Sequence, residues 1–173
     1  LLDGSRVVVK VQRKDIYETM ARDIALLHKA VKLVPPVSIK GMVDLDMVLD
    51  ELWAVTREEM NFLTEAANME EFAKNNQDVA YVDVPKIYQE YTTMHVLVME
   101  YVDGCEISDK EYLTENGYDL KEIGSKLVDN YIKQVMDDGF FHADPHPGNV
   151  KIRDGKIVWM DMGMMGRLTD RDR

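Results

Sequence analysis

The alternation of apolar and polar positions predicts an order of strands and helices along the chain. A β-branched run from Val7 to Val11 predicts a strand. From Asp15 to about Val34, apolar residues recur at spacings of three and four, which predicts an amphipathic helix that ends at Pro35-Pro36. A second helical pattern covers residues 44–74, as either one bent helix or two.

Two glutamates of that second helical pattern are candidates for a buried role, although a solvated helix face is the more common place for such residues. Glu59 lies on the apolar stripe that Leu52 and Leu63 define, where an unpaired carboxylate would be costly. Glu65 lies six residues later, and on one regular helix the two side chains would point roughly 120° apart. At most one of them can therefore address a given partner.

The second half of the chain predicts strands, a helix and a hairpin. Short strands are expected at Lys86–Tyr91 and Val96–Tyr101, and a helix at Leu120–Asp137 that Gly139 terminates. The segment "VKIRDGKIVWM" predicts a hairpin that turns at Asp154-Gly155. Strand, helices, strands, helix, loop and hairpin in this order indicate an α+β fold.

Composition limits the function classes. A chain of 173 residues that is 46% hydrophobic can form one sizeable core or two small lobes. A net charge of −11 argues against a nucleic-acid partner and suits a soluble cytoplasmic domain. The single cysteine, Cys105, excludes an intramolecular disulfide and is expected to be an inert small hydrophobe. No apolar run approaches the ~18 residues of a transmembrane segment, and no signal peptide opens the chain.

The stretch "FFHADPHPGNV", residues 140–150, is compatible with two chemistries. His142, Asp144 and His146 could bind a metal ion through alternate side chains of an extended segment, as in a metal-dependent hydrolase. The same stretch also matches the H-x-D-x-x-x-x-N loop of kinases, with Asp144 as the catalytic base and Asn149 as a magnesium ligand. The predicted hairpin and the "DMG" at Asp161–Gly163 favour the kinase loop, because a kinase places its second magnesium ligand there.

Two upstream patterns agree with phosphoryl transfer. Lys10 stands in an apolar strand, as does the kinase lysine that bridges ATP phosphates and a helix glutamate, although an edge-strand lysine also serves solubility. The segment "VLVMEYVDG" is typical of a buried strand or of a kinase hinge, with Met99 followed by exposed backbone at Glu100 to Val102 for the adenine edge. The strand lysine, helix glutamate, hinge, catalytic loop and metal-binding aspartate follow one another in the order found in kinases, and together they indicate phosphoryl transfer.

Five segments together resemble the UbiB-type (aarF-domain) atypical kinases: "VVVKVQR", "EEMNFLTEAANMEEF", "VLVMEYVDG", "GFFHADPHPGN" and "DMGMMGRL". The resemblance implies a protein-kinase-like fold, with residues 1–102 as a small-lobe region carrying a helical insertion and the hinge, and residues 103–173 as the start of the large lobe. It also implies ATP and magnesium as cofactors, kinase or ATPase activity, and a lipid or isoprenoid-quinone pathway partner that would bring the protein to a membrane surface.

The same resemblance assigns roles to individual residues. Asp144 becomes the catalytic base, and Lys10 pairs with Glu65, which should lie nearer to it than Glu59 does. Nucleotide and magnesium contacts fall on Lys10, Glu59, Glu65, Glu100, Val102, Asn149 and Asp161, with Asn149 and Asp161 as the metal ligands. A nucleotide-binding pseudokinase that acts as a regulatory module is the alternative.

Three features depart from the family pattern. Asn61 replaces the aspartate of the family's E-x-D element, of which Glu59 is the glutamate. Met162 replaces the usual phenylalanine, a swap that should preserve packing. Only nine residues precede Lys10, so the K-x-G-Q element is not among them, and we expect the chain to be a fragment of a kinase-like domain that lacks both ends.

Overall fold

A computed structural model describes residues 1–33 and 44–169. Within them the α-helices are α1 (Ile16–Leu33), α2 (Leu45–Glu59), α3 (Phe62–Asn75), α4 (Lys110–Glu115) and α5 (Leu120–Lys133). The strands are β1 (Val7–Val11), β2 (Val82–Asp83), β3 (Val96–Glu100), β4 (Cys105–Glu106), β5 (Phe140–His142), β6 (Val150–Arg153), β7 (Lys156–Trp159) and β8 (Met165–Arg167).

The strands pair into three small sheets. Strand β1 pairs antiparallel with β3, which sets Lys10 opposite Leu97. A four-stranded sheet has the order β2-β7-β6-β4, and its β6–β7 hairpin sets Val150 opposite Trp159. Strands β5 and β8 form the third sheet. The loop 143–149 thus leaves β5 and enters β6, so two sheets anchor its ends.

Several predicted elements are confirmed. Strand β1 and helix α1 form where the pattern placed them, although the helix end expected at Pro35-Pro36 lies outside the described residues. The hairpin turns at Asp154 (φ 51°) and Gly155 (φ 76°), the left-handed pair that a two-residue turn requires. After Lys133 the helix α5 widens into a π-helical turn at Gln134–Asp138, which ends at Gly139 with φ 61°.

Two predictions are refined or wrong. The helical pattern over residues 44–74 is two helices, because Asn61 leaves the helical conformation and its side chain accepts a hydrogen bond from the Leu63 amide at 3.1 Å. The predicted strand at residues 86–91 does not form beyond an isolated bridge from Ile87 to Met99. Polar Gln89–Tyr91 instead closes a 3₁₀ turn, in which the Thr92 hydroxyl donates to the Tyr88 carbonyl at 2.9 Å.

The apolar stripe predicted for α2 does not face the core. No residue of α2 is buried, and Leu52 and Leu63 remain 48% and 44% exposed. Helix α2 packs on α1, where Trp53 meets Tyr17 with ring centroids 5.4 Å apart. Glu59 at its end is exposed, so the argument that placed its carboxylate on a buried stripe was wrong.

The core joins α3 to the hairpin. Its largest fully buried side chains include Phe72, Met69, Trp159, Leu97, Leu113 and Met162. The Trp159 ring packs edge-on against Phe72, with centroids 6.1 Å apart. Met162 is completely buried, so the thioether fills the space as the volume argument expected. This core holds α3 and the backbone around Met162 as one packed unit.

Candidate functional site

The Lys10 ammonium group lies between two carboxylates from distant segments. Its Nζ donates to both oxygens of Glu65, at 2.7 and 3.0 Å, and to Oδ2 of Asp161 at 3.1 Å. Strand β1 presents the lysine, the first turn of α3 presents Glu65, and the segment after β7 presents Asp161. Glu65, rather than Glu59, is therefore the partner of Lys10 in this structure, and the role of that pair in nucleotide binding remains a prediction.

Burial and charge act in opposite directions on the Lys10–Glu65 pair. Burial alone lowers the pKa of Lys10, but the bonds and charges of Glu65 and Asp161 outweigh it, and its pKa is raised. Glu65 is only 4% exposed, and this burial raises its pKa in spite of the lysine. The buried carboxylate therefore depends on Lys10, because an unpaired buried charge is strongly unfavourable.

Asp161 is held by its own backbone segment as well as by Lys10. Its Oδ1 accepts a hydrogen bond from the Gly163 amide at 3.0 Å. Partial burial acts to raise the pKa of Asp161, but the Lys10 charge and the Gly163 amide outweigh it and lower the pKa below its ordinary value. A Cβ at position 163 would lie 3.2 Å from Asp161 Oδ1, so glycine allows this close approach. Asp161 is therefore an ionised carboxylate with a fixed orientation, and its role as a magnesium ligand remains a prediction.

The backbone of Asp144 is fixed at three points. Its amide donates to Nδ1 of His142 at 3.2 Å, and its carbonyl accepts from the His146 amide at 2.7 Å and from the Asn149 side chain at 3.1 Å. The Asp144 carboxylate itself is exposed and has no hydrogen-bond or ion-pair partner within residues 1–33 and 44–169. A fixed backbone with a free carboxylate suits a group that must accept a proton from a bound reactant.

Asn149 and His146 shape the same loop. The Asn149 side-chain nitrogen donates to the Asp144 carbonyl, and its Oδ1 accepts no hydrogen bond within the described residues. The Asn149 carbonyl accepts from the Met160 amide at 2.9 Å, so Asn149 sits beside the segment that leads into Asp161. The Nδ1 of His146 accepts from the Gly148 amide at 3.1 Å and so caps the 3₁₀ turn at Pro147–Asn149.

Several carboxylates lie near the Lys10 ammonium group. Although the Glu59 side chain is exposed, partial loss of hydration at its carboxyl first, and then the charges of Asp161 and Asp144, raise its pKa. Glu65 adds a fourth carboxylate, whereas Lys10 is the cation that the structure places among them. Carboxylate and amide oxygens are the ligand types that Mg²⁺ prefers, so Asn149 and Asp161 are the residues that would hold it together with phosphate oxygens of a nucleotide.

The metal-hydrolase alternative finds no preformed site. His142 is buried, its Nδ1 accepts from the Asp144 amide, and its Nε2 is fully buried. Burial lowers the pKa of His142, which keeps the ring neutral. No group of three or more His, Cys, Asp or Glu side chains in the described part of the chain could hold a metal ion. His142, Asp144 and His146 therefore do not form a three-ligand site.

In the predicted hinge segment, the Glu100 side chain already has partners, whereas the Val102 amide has none among the described residues. The Glu100 carboxylate pairs with Arg153 and accepts from the Lys86 amide at 3.1 Å, and the Glu100 amide donates to the Lys86 carbonyl at 2.8 Å, so neither group is left for a ligand. The Val102 carbonyl accepts from Lys151 Nζ at 3.3 Å. The Val102 amide donates to no group among the described residues, which leaves a donor at the predicted adenine edge.

Sequence reasoning missed the buried amides beneath the site. Asn68 donates to the Met162 carbonyl at 2.9 Å, which ties α3 to the segment that carries Asp161. Asn130 and Gln134 are also completely buried, on the inner side of α5 and its π-helical turn. Their spacing of four among apolar residues was the available signal, since it places two polar side chains on one buried face.

Comparisons with known proteins show which family this chain is similar to. The sequence model of the ABC1 atypical kinase-like domain matches residues 1–173. "Protein ACTIVITY OF BC1 COMPLEX KINASE 8, chloroplastic" of Arabidopsis thaliana is 40% identical over 178 residues, which cover 99% of this chain and 23% of that protein. "Probable protein kinase UbiB" of Tolumonas auensis is 33% identical over 176 residues, which cover 99% of this chain and 32% of that protein.

A solved structure confirms the expected kinase-like fold. It is described as the complex of Rv3197 with erythromycin from Mycobacterium tuberculosis, and it superposes with a TM-score of 0.76 at 27% identity. The match covers 95% of this chain and 41% of that one. The chain thus spans about a quarter to a third of the curated relatives above. None of the helices in residues 1–33 and 44–169 combines the length and apolar character of a membrane span.

Proposed function

This chain belongs to the ABC1 atypical kinase-like family, and from that premise we propose that it binds ATP with magnesium and transfers or hydrolyses the terminal phosphoryl group. The observation that carries the proposal is the contact of Lys10 with both Glu65 and Asp161, beside a loop that fixes Asp144. Phosphoryl transfer depends chiefly on positioning and on stabilising negative charge, and this arrangement is suited to both.

Each residue has a defined task in the proposed reaction. Lys10 neutralises phosphate oxygens, and Asn149 and Asp161 hold Mg²⁺, which would offset the charge that develops on the transferred group. The unpaired Val102 amide donates to the adenine edge. The free Asp144 carboxylate orients an attacking hydroxyl or water and accepts its proton.

The proposal extends to the lobes and to the acceptor. Residues 1–102 would form the side of the cleft that carries Lys10, and residues 103–169 the side that carries Asp144. The resemblance to UbiB-type kinases supports an acceptor or partner in ubiquinone or isoprenoid lipid metabolism. It also supports action at a membrane surface, without a spanning helix in the described residues.

A test of the proposed function is the effect of Lys10 on nucleotide binding. We expect Lys10→Met to weaken ATP binding in the presence of magnesium by at least about tenfold, because a charged hydrogen bond to phosphate contributes about 1.5–3 kcal/mol. The exposed Lys14, four residues along, supplies the control Lys14→Met, which should bind like the wild type. Calorimetric titration and ATP turnover measure both.

The outcomes separate the two functional classes. Turnover that depends on Lys10 supports the kinase or ATPase proposal. Tight, magnesium-dependent binding without turnover under any condition favours the nucleotide-binding regulatory module. If the folded wild type binds no nucleotide, the proposal is wrong.

His146 should act by shaping the loop. His146→Ala removes the acceptor of the Gly148 amide, and the loss of such a cap typically costs about 0.5–2 kcal/mol. We expect a moderate loss of turnover with magnesium-dependent ATP binding retained. His146→Asn should recover much of the activity, because an asparagine side chain can accept the same bond. A complete loss of metal binding in both variants would identify His146 as a metal ligand instead.

A further inference from the structure

Three buried amide side chains form a continuous chain of hydrogen bonds beneath the candidate site. The His142 amide donates to Gln134 Oε1 at 3.1 Å, and Gln134 Nε2 donates to Asn130 Oδ1 at 2.9 Å. Asn130 Nδ2 then donates to Asn76 Oδ1 at 2.7 Å. Asn76 Nδ2 donates to the Phe72 carbonyl at 3.0 Å. We call Gln134, Asn130 and Asn76 the amide relay.

The orientation of each amide side chain in the relay is determined by neighbouring groups that can only donate or only accept a hydrogen bond. A backbone N–H and an indole N–H can only donate, and a backbone carbonyl can only accept. The His142 amide therefore faces the oxygen of Gln134. The Trp159 indole donates to Asn130 at 2.9 Å, so the atom of Asn130 that faces Trp159 and Gln134 is also an oxygen. Reversing any amide would set two donors or two acceptors against each other.

The relay connects the two halves of the site. It begins at the His142 amide, two residues before Asp144, and ends at Phe72 of α3, the helix that carries Glu65. Its members are almost completely buried. Because buried hydrogen bonds in a chain polarise and strengthen one another, the relay resists a change in the spacing between α3 and strand β5.

A local irregularity brings Gln134 into this position. Gln134 is the first residue of the π-helical turn that ends α5, and the turn closes with Gly139 donating to the Gln134 carbonyl. Such turns are rare and occur mainly at functional sites. The turn leads directly into β5, so Gln134, where the helix changes its winding, also binds the amide of His142, the last residue of β5 before the loop.

We propose that Gln134 is a positioning residue for the phosphoryl-transfer loop, and that the amide relay sets the place of Asp144 relative to the Lys10–Glu65 pair. The inference rests on the proposed function for its catalytic consequence. Its structural part, the coupling of the His142 amide to Asn76 through two intervening side chains, stands independently. Gln134 acts through the backbone of His142 and contacts none of the proposed reacting groups.

The catalytic part is tested with Gln134→Met in the intact protein. Methionine matches the length of glutamine but cannot accept from the His142 amide, so the loop should lose its fixed position. We expect turnover to fall at least about tenfold, since a misplacement of about 1 Å can cost roughly 10²-fold, while ATP affinity changes by less than about twofold. Gln134→Glu keeps the acceptor for that amide but loses the donor to Asn130 Oδ1, so it should recover at most part of the turnover.

A matched control separates positioning from simple destabilisation. Leu113 is fully buried in α4, and it forms no hydrogen bond with Gln134, Asn130 or Asn76. Leu113→Ala should lower the melting temperature at least as much as Gln134→Met, yet leave turnover well below that temperature unchanged. If Gln134→Met and Leu113→Ala affect turnover equally, or if Gln134→Met changes only ATP affinity, the positioning role is overturned.

Hydrogen exchange tests the relay without any activity. Asn76 bonds to Asn130 and to Phe72 and has no bond to Gln134 or His142. We nevertheless expect Asn76→Ala to speed exchange of the His142 amide, as Gln134→Met does directly, whereas Leu113→Ala leaves it protected. Unchanged protection in Asn76→Ala would overturn the relay. A wild type that binds and turns over no ATP would refute the proposed function, and this exchange experiment would still decide the relay.

Discussion

Replacing Asp144 with asparagine should lower ATP turnover by about 10²- to 10⁴-fold, the range typical of the loss of a positioned general base. The change removes the proton acceptor and preserves the shape of the side chain. The fold should survive, because the bonds that hold this residue use its amide and carbonyl and leave its carboxylate free. ATP and magnesium should still bind, since Asn149 and Asp161 keep their oxygens.

The measurement is the turnover number together with the ATP affinity of the same preparation. Asp129→Asn is a suitable control, because it makes the same chemical change at an exposed position of α5. It should turn over ATP like the wild type. Normal turnover in Asp144→Asn would remove Asp144 from the mechanism and favour a water-mediated or metal-centred reaction.

The parts of the site that sequence predicted best are those with fixed spacing along the chain. The loop from His142 to Asn149 and the hairpin that follows are local, and their bonds lie within a few residues of one another. The Asp154-Gly155 turn was equally predictable, because both positions require left-handed backbone. Local rules of this kind need no knowledge of the rest of the fold.

Features that depend on long-range packing were predicted less well. Helix α2 has an apolar stripe, but the stripe alone does not tell which neighbour covers it, and in the structure Leu52 remains exposed. Strands β5 and β8 are three residues each and pair across a separation of more than twenty positions. Short strands of this kind carry almost no periodic signal, so only the assembled fold reveals them.

Tertiary packing determines which of the two glutamates, Glu59 or Glu65, pairs with Lys10. The two lie six residues apart, and sequence could state only that a single regular helix cannot present both to one partner. Asn61 ends that regularity by starting α3, and the first turn of α3 directs Glu65 into the core against Lys10. Glu59 stays exposed at the end of α2, where it still experiences the charges of Asp161 and Asp144.

The amide relay left only a weak signal in the sequence, the spacing of four between Asn130 and Gln134. Buried amides are recognised by the partners they find, and those partners lie 54 positions apart in the pair Asn76–Asn130. From sequence alone, the same residues are typical of a solvated helix face. In the core their hydrogen bonds are satisfied, as buried polar groups require.

Replacing Asp161 with asparagine should abolish the dependence of nucleotide binding on magnesium. In the wild type we expect ATP to bind much more tightly with magnesium than with a chelator, because Asp161 would supply a carboxylate oxygen to the ion that accompanies the phosphates. The asparagine side chain would keep an oxygen for the Gly163 amide, so the local backbone should persist. The variant would lose the charge that attracts the cation, and its affinity for ATP with magnesium should fall at least about tenfold.

A titration of ATP without magnesium distinguishes the loss of a metal ligand from a general loss of ATP binding. Without magnesium, the Asp161 carboxylate repels the phosphates and competes with them for Lys10, to which it is bound at 3.1 Å. Asp161→Asn should therefore bind metal-free ATP at least as tightly as the wild type does. Titrations with magnesium and with chelator should give nearly equal affinities for the variant and widely separated ones for the wild type. Asp154→Asn, in the turn of the same hairpin, should behave like the wild type in both. An equal loss of affinity in both arms for Asp161→Asn would instead point to a damaged fold, and wild-type affinities in both would show that Asp161 does not hold the ion.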